Sequence, residues 1–80
     1  MTSVFDGISE IFVEVFEVSR EDAQNLEYEA VPGWDSIGHM MMVSSLEEKF
    51  GISLELDEII GISNFETCVK AVESKIARSE

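Results

Sequence analysis

Eighty residues are enough for one domain, 1–80, but too few to support both a stable core and a deep catalytic cleft, so a binding or carrying role is expected rather than enzymatic turnover. Seventeen Asp and Glu against five Lys and Arg give a formal charge of -12, which repels nucleic-acid phosphates and anionic membrane surfaces and favours partners with basic patches. A hydrophobic fraction of 45% is too high, and too periodic, for an acidic disordered tail; the single Cys68 can form no intramolecular disulfide, no secretory signal pattern is present, and no apolar run nears the ~20 residues of a membrane span. These features lead to the expectation of a soluble, monomeric protein in the reducing cytoplasm.

From Val4 to Glu17, residues Val4, Phe5, Ile8, Ile11, Phe12, Val15 and Phe16 share one side of a helical wheel, with Asp6, Glu10, Glu14 and Glu17 opposite. This predicts a first amphipathic helix, with Ser3 as its N-cap. Residues 18–34 are rich in Ser, Asn, Asp, Pro and Gly with little periodicity, and read as a long connection ending around Pro32 and Gly33. A second helix is expected from Ser36 to Phe50, capped by Asp35 and ended by Gly51. His39, Met42, Val43, Leu46 and Phe50 fall on its inward face, and Ile37, Met41, Ser44 and Glu48 on its outward one. Asp57 to Gly61 predicts one short helical turn. Ser63 and Glu66 have the spacing of a capping box that opens a last helix, whose buried stripe is Phe65, Val69, Val72 and Ile76. Three longer helices and one short third helix, with no alternating strand pattern, predict an all-α four-helix bundle.

The stretch Gly33-Trp34-Asp35-Ser36-Ile37, followed by Leu46-Glu47-Glu48-Lys49-Phe50-Gly51-Ile52, resembles the signature of the acyl carrier protein family, and the resemblance extends over the whole chain. It implies that Ser36 receives 4'-phosphopantetheine from coenzyme A through a phosphopantetheinyl transferase, with Asp35 as the motif residue before it. It further implies that the arm's thiol holds acyl intermediates as thioesters and presents them to acyl-transferring or synthase enzymes of fatty-acid, polyketide or another specialised acyl pathway. The family's helix order, with a long loop and a short third helix, agrees with the periodicity. Independently of family, a phosphodiester on the first residue of a helix lies beside unpaired backbone N–H groups and the positive end of the helix dipole. No activating base for Ser36 is evident, so its hydroxyl reads as a passive acceptor modified from outside.

Other residues have both plain and functional readings. Ser after Asp at a helix start is ordinarily a solvent-facing first-turn residue, and only the extended signature makes Ser36 an attachment site. Met42 reads as core filling. Ile37 and Met41, one turn apart, with Met40 beside them, form an apolar patch next to Ser36 of the kind that contacts partners. Glu47, Glu48, Asp57 and Glu58 read as a solvated face that also steers basic partners. Met42, Leu46, Ile62 and Val69 are candidates to line an acyl cavity, where each buried methylene is worth ~0.8 kcal/mol. His39 reads as a hydrogen-bonded core or border residue rather than a catalyst, and a Cys68–His39 dyad lacks an evident third group to orient the imidazole. The acids do not follow calcium-loop spacing, so no metal is expected. Trp34 admits two readings, a loop anchor or a contact near the arm.

The chain departs from the bacterial fatty-acid carriers at Gly38 and Met41, where that family usually places acids that bind the synthase enzymes. The departure implies a specialised carrier with altered recognition. Two alternatives remain open: an amino-acyl or peptidyl carrier using the same serine, and an unmodified acidic helical adaptor that binds a basic protein through the second helix.

Overall fold

The computed structural model describes residues 3–79, and the chain order of its helices is α1 (Val4–Phe16), α2 (Arg20–Ala23), α3 (Ser36–Phe50), α4 (Leu56–Gly61) and α5 (Phe65–Ser79). No strand forms among the described residues, and the protein is all-α. None of these helices is long and apolar enough to cross a membrane.

The apolar stripe of α1 turns inward as its wheel predicts, with Ile8, Ile11, Phe12 and Phe16 buried. Ser3 Oγ accepts from the Asp6 N–H at 3.1 Å, satisfying one of the free donors of the first turn. The helix ends one residue earlier than its pattern suggests. Glu17 adopts a left-handed conformation (φ 55°) and returns its N–H to the Val13 carbonyl.

The connection contains an element that the sequence reading missed. Ser19 Oγ accepts from the Asp22 N–H at 3.1 Å and opens α2, a single turn that sends Ala23 into the core. Beyond it, the Tyr28 N–H donates to the Ser63 carbonyl (2.8 Å) and the Phe65 N–H to the Leu26 carbonyl (3.2 Å), tying the loop to the start of α5. The loop then brings Trp34 into the centre of the molecule, fully buried. Its indole stacks on Phe16 (4.6 Å, 16°) and meets Phe12 edge-on (5.1 Å). The loop-anchor reading of Trp34 is therefore the correct one. Burial of this ring and its two aromatic neighbours holds the loop against α1, each side chain contributing ~1.5–3 kcal/mol.

Asp35 caps α3 as expected, its Oδ1 accepting from the Gly38 N–H at 2.9 Å, and Gly51 closes it at φ 63°. Met42, Val43 and Leu46 face inward and are buried. Gly38 has a structural reason in the loop: a Cβ built on it would lie 1.8 Å from the Gly33 carbonyl oxygen. The close approach that glycine permits here is to the chain's own backbone, so no side chain, acidic or otherwise, fits this position.

Helix α4 buries none of its own residues. It is suspended between two buried anchors, Leu54 before it and Ile62 after it. At its start the Glu55 N–H donates to Glu58 Oε1 (2.8 Å), and Glu58 also accepts from Lys75 Nζ (2.7 Å) and Arg78 Nη2 (3.1 Å) on α5. The Lys75 hydrogen bond, then that of the Glu55 N–H, hold the Glu58 carboxyl below the usual carboxylate range; desolvation opposes them and loses.

The start of α5 corrects one expectation. The cap is not Ser63 with Glu66 but the next residue, Asn64, with Thr67. Asn64 Oδ1 accepts from the Thr67 N–H (2.8 Å), and Thr67 Oγ1 accepts from the N–H groups of Asn64 (3.0 Å) and Ser63 (2.9 Å). The shift follows from the loop pairing, since the Ser63 carbonyl is held by Tyr28 while Phe65 enters the core. Glu66 pairs instead with Lys70, one turn on, at 3.3 Å. Of the predicted stripe, Phe65 and Val72 are buried and Val69 and Ile76 half-buried; Cys68, not in that stripe, is fully buried between them.

Candidate functional site

Ser36 is the first residue of α3 and is exposed. Asp35 uses its side chain on the Gly38 N–H and its carbonyl on the His39 N–H (2.8 Å), so the N–H groups of Ser36 and Ile37 precede the first intrahelical acceptor. Two backbone donors and the positive end of a 15-residue helix thus stand beside the hydroxyl, an end that the Asp35 carboxylate already caps in part at the Gly38 N–H.

The nearest imidazole is committed elsewhere. His39 is buried, and its Nδ1 accepts from the Trp34 indole N–H at 2.9 Å while its Nε2 lies 2.8 Å from the Ile59 carbonyl on α4. An indole N–H can only donate and a carbonyl can only accept, so the ring must be the tautomer that carries its proton on Nε2. With both nitrogens engaged, His39 offers Ser36 no base. The border-residue reading of His39 agrees with this geometry. Cys68 is equally unsuited to nucleophilic work: burial pushes its thiol up to about 12, and no pairing with His39 exists. Among the described residues, no group of three or more His, Cys, Asp or Glu could hold a metal ion.

Beside Ser36 opens an apolar groove of about 390 Å³ between α3 and α4. Ser36, His39 and Met40 line it from α3, and Leu56, Ile59 and Ile60 from α4, with Tyr28, Ile62 and Ser63 completing the lining. Of the four residues proposed for a cavity, Ile62 lines this groove. Met42 and Leu46 are fully buried in the packed core instead, and Val69 lines a separate depression with Phe5 and Phe65. A helical wheel identifies the inward face but not whether that face meets packed side chains or open space.

The outward apolar patch on α3 is exposed as read, with Ile37 at 73% of its full surface and Met40 and Met41 about half accessible. It continues onto α4 through Leu56 (72%) and Ile60 (71%), which sequence reasoning did not single out. Their i, i+4 spacing was the available signal, but a six-residue helix is too short for periodicity to register. The acidic residues divide. Glu48 and Asp57 are exposed, whereas Glu47 accepts the Leu54 N–H at 2.9 Å and Glu58 is held by Lys75 and Arg78.

No family model matches this chain, and comparison with curated proteins finds no match. The chemistry open to the site is therefore read from its geometry: a solvent-facing hydroxyl at an anion-favouring helix end, without a base, at the mouth of an apolar groove.

Proposed function

We propose that the protein is an acyl carrier: Ser36 bears 4'-phosphopantetheine, and the arm presents acyl groups as thioesters to partner enzymes. The observation that carries this reading is the position of Ser36, exposed on the first turn of α3 and lining the apolar groove. The surroundings fit the group. The free N–H groups of Ser36 and Ile37 suit a phosphodiester, and the walls of Met40, Leu56, Ile59 and Ile60 suit an apolar chain. In this reading α1, α3 and α5 are the three long helices of the carrier fold, α4 is its short one, and α2 is an added turn in the connection.

The patch of Ile37, Met40 and Met41, together with the glycine that the loop imposes at position 38, supports a specialised carrier whose partners contact apolar surface beside the arm. Exposed Glu48 and Asp57 remain to steer partners with basic rims. Incubation with coenzyme A, magnesium and a broad-specificity phosphopantetheinyl transferase tests the assignment by intact mass. One added phosphopantetheine is expected on the parent protein and none on Ser36→Ala; an adaptor that works without the arm would show no gain on either.

A further inference from the structure

We propose that His39 is the positioning residue that latches α4 to α3 and thereby sets the opening of the groove beside Ser36. No residue of α4 is fully buried and only Ile59 packs partly against the core, so between the anchors Leu54 and Ile62 polar ties supplement a small apolar contact. On the α5 side these are the Glu58 pairs with Lys75 and Arg78. On the α3 side the tie is a hydrogen bond from His39 Nε2 to the Ile59 carbonyl, at 2.8 Å. That bond spans the groove, because His39 lines one wall and Ile59 the other.

Trp34 makes the latch specific. Its indole N–H occupies Nδ1 and so obliges Nε2 to carry the proton that Ile59 needs. The two rings are nearly parallel (16°) and Tyr28 meets the imidazole edge-on (85°, 5.6 Å), which fixes the ring plane as well as its proton. The same indole anchors the loop preceding Ser36, so the position of the attachment loop and the width of the groove are set by one chain of contacts: Trp34, His39, Ile59. Release of the Ile59 carbonyl would let α4 swing on its anchors and widen the groove. That this gates an acyl chain rests on the carrier reading; that His39 holds α4 does not.

Two substitutions separate the latch from general packing. Asn places an oxygen near the position of Nδ1 and keeps the acceptor for Trp34 but loses the tie to Ile59. Gln places an amide near Nε2 and keeps the tie but gives up much of the Trp34 bond. Each loses about one hydrogen bond, so a merely structural histidine would respond alike to both. Amide exchange followed by NMR on the unmodified protein is expected to show the Ile59 and Ile62 amides exchanging about tenfold faster in His39→Asn and within about threefold of the parent in His39→Gln, with α1 amides unchanged in both. The same pattern in the two variants, or unchanged exchange at Ile59 and Ile62 in His39→Asn, would overturn the latch. Ring nitrogen shifts of His39 in the parent protein give a second test that needs no variant: protonated Nε2 with bare Nδ1 is expected, and the opposite tautomer or an averaged mixture would overturn it. Both measurements are made without the arm, so a protein that takes no phosphopantetheine loses the carrier reading while the latch is judged separately.

Discussion

Gly38→Ala should destabilise the protein although alanine is the better helix former. The added methyl would sit 1.8 Å from the Gly33 oxygen and 3.0 Å from the Gly33 carbonyl carbon, both backbone atoms of the loop that carries Trp34. Against the ~3.5 Å of ordinary contact, that loop must retreat by roughly 1.7 Å. Such a retreat would disturb Trp34, which stands next to Gly33 and stacks on Phe16. Overpacking of this kind costs ~1–3 kcal/mol, and a rigid backbone neighbour places it at the upper end; the helix-propensity gain of at most ~1 kcal/mol offsets part. A net loss of ~2 kcal/mol corresponds to a fall in Tm of about 8–16 °C for a domain of this size. Gly61→Ala is the control, because its Cβ meets nothing within 4 Å, and it should be neutral or stabilising by up to ~1 kcal/mol. Urea midpoints and thermal melts of both variants decide the matter. A Gly38→Ala protein as stable as the parent would refute the account of the loop contact.

Trp34→Phe keeps an aromatic ring over Phe16 but removes the donor to buried His39 Nδ1, and should cost ~1–3 kcal/mol in urea unfolding; an unchanged midpoint would contradict the role given to the Trp34–His39 hydrogen bond. Cys68 should resist thiol reagents in the native state at pH 8 and react in denaturant. Because its folded pKa is raised, from 9.0 to about 12, its contribution to stability is complete below pH 9 and declines as pH rises towards 12, a decline that Cys68→Ala should lack. Glu58 runs the other way. Its folded pKa is lowered, so the stability advantage of the parent over Glu58→Gln should be full above pH 4.5 and shrink as pH falls through the folded value, measured as urea midpoints across an acid series.

Local chemistry made much of the fold legible. The stripe of α1, the Asp35 cap, Gly51 at the end of α3 and the existence of α4 follow from spacing and from residues whose backbone preferences are strong. Helix α2 escaped because four residues show no period, although Ser19 followed by Asp22 three residues later carried a capping signal. The α5 cap was misassigned by one residue, since Ser63 and Asn64 are both good caps and a long-range pairing with Tyr28 chose between them. At the site, Ser36 and the patch of Ile37, Met40 and Met41 could be read from the chain. The groove could not, as its second wall comes from α4 and its position depends on a histidine reaching twenty residues along the chain. Gly38 was visible as an anomaly, but its cause lies in a tertiary contact with Gly33.

In the carrier reading, function turns on a single oxygen atom, the hydroxyl of Ser36. After treatment with coenzyme A, magnesium and a phosphopantetheinyl transferase, proteolysis and fragment-ion mass spectrometry should locate one phosphopantetheine on Ser36 and on no other serine. An unmodified protein, or an arm mapped to any other residue, would contradict the account.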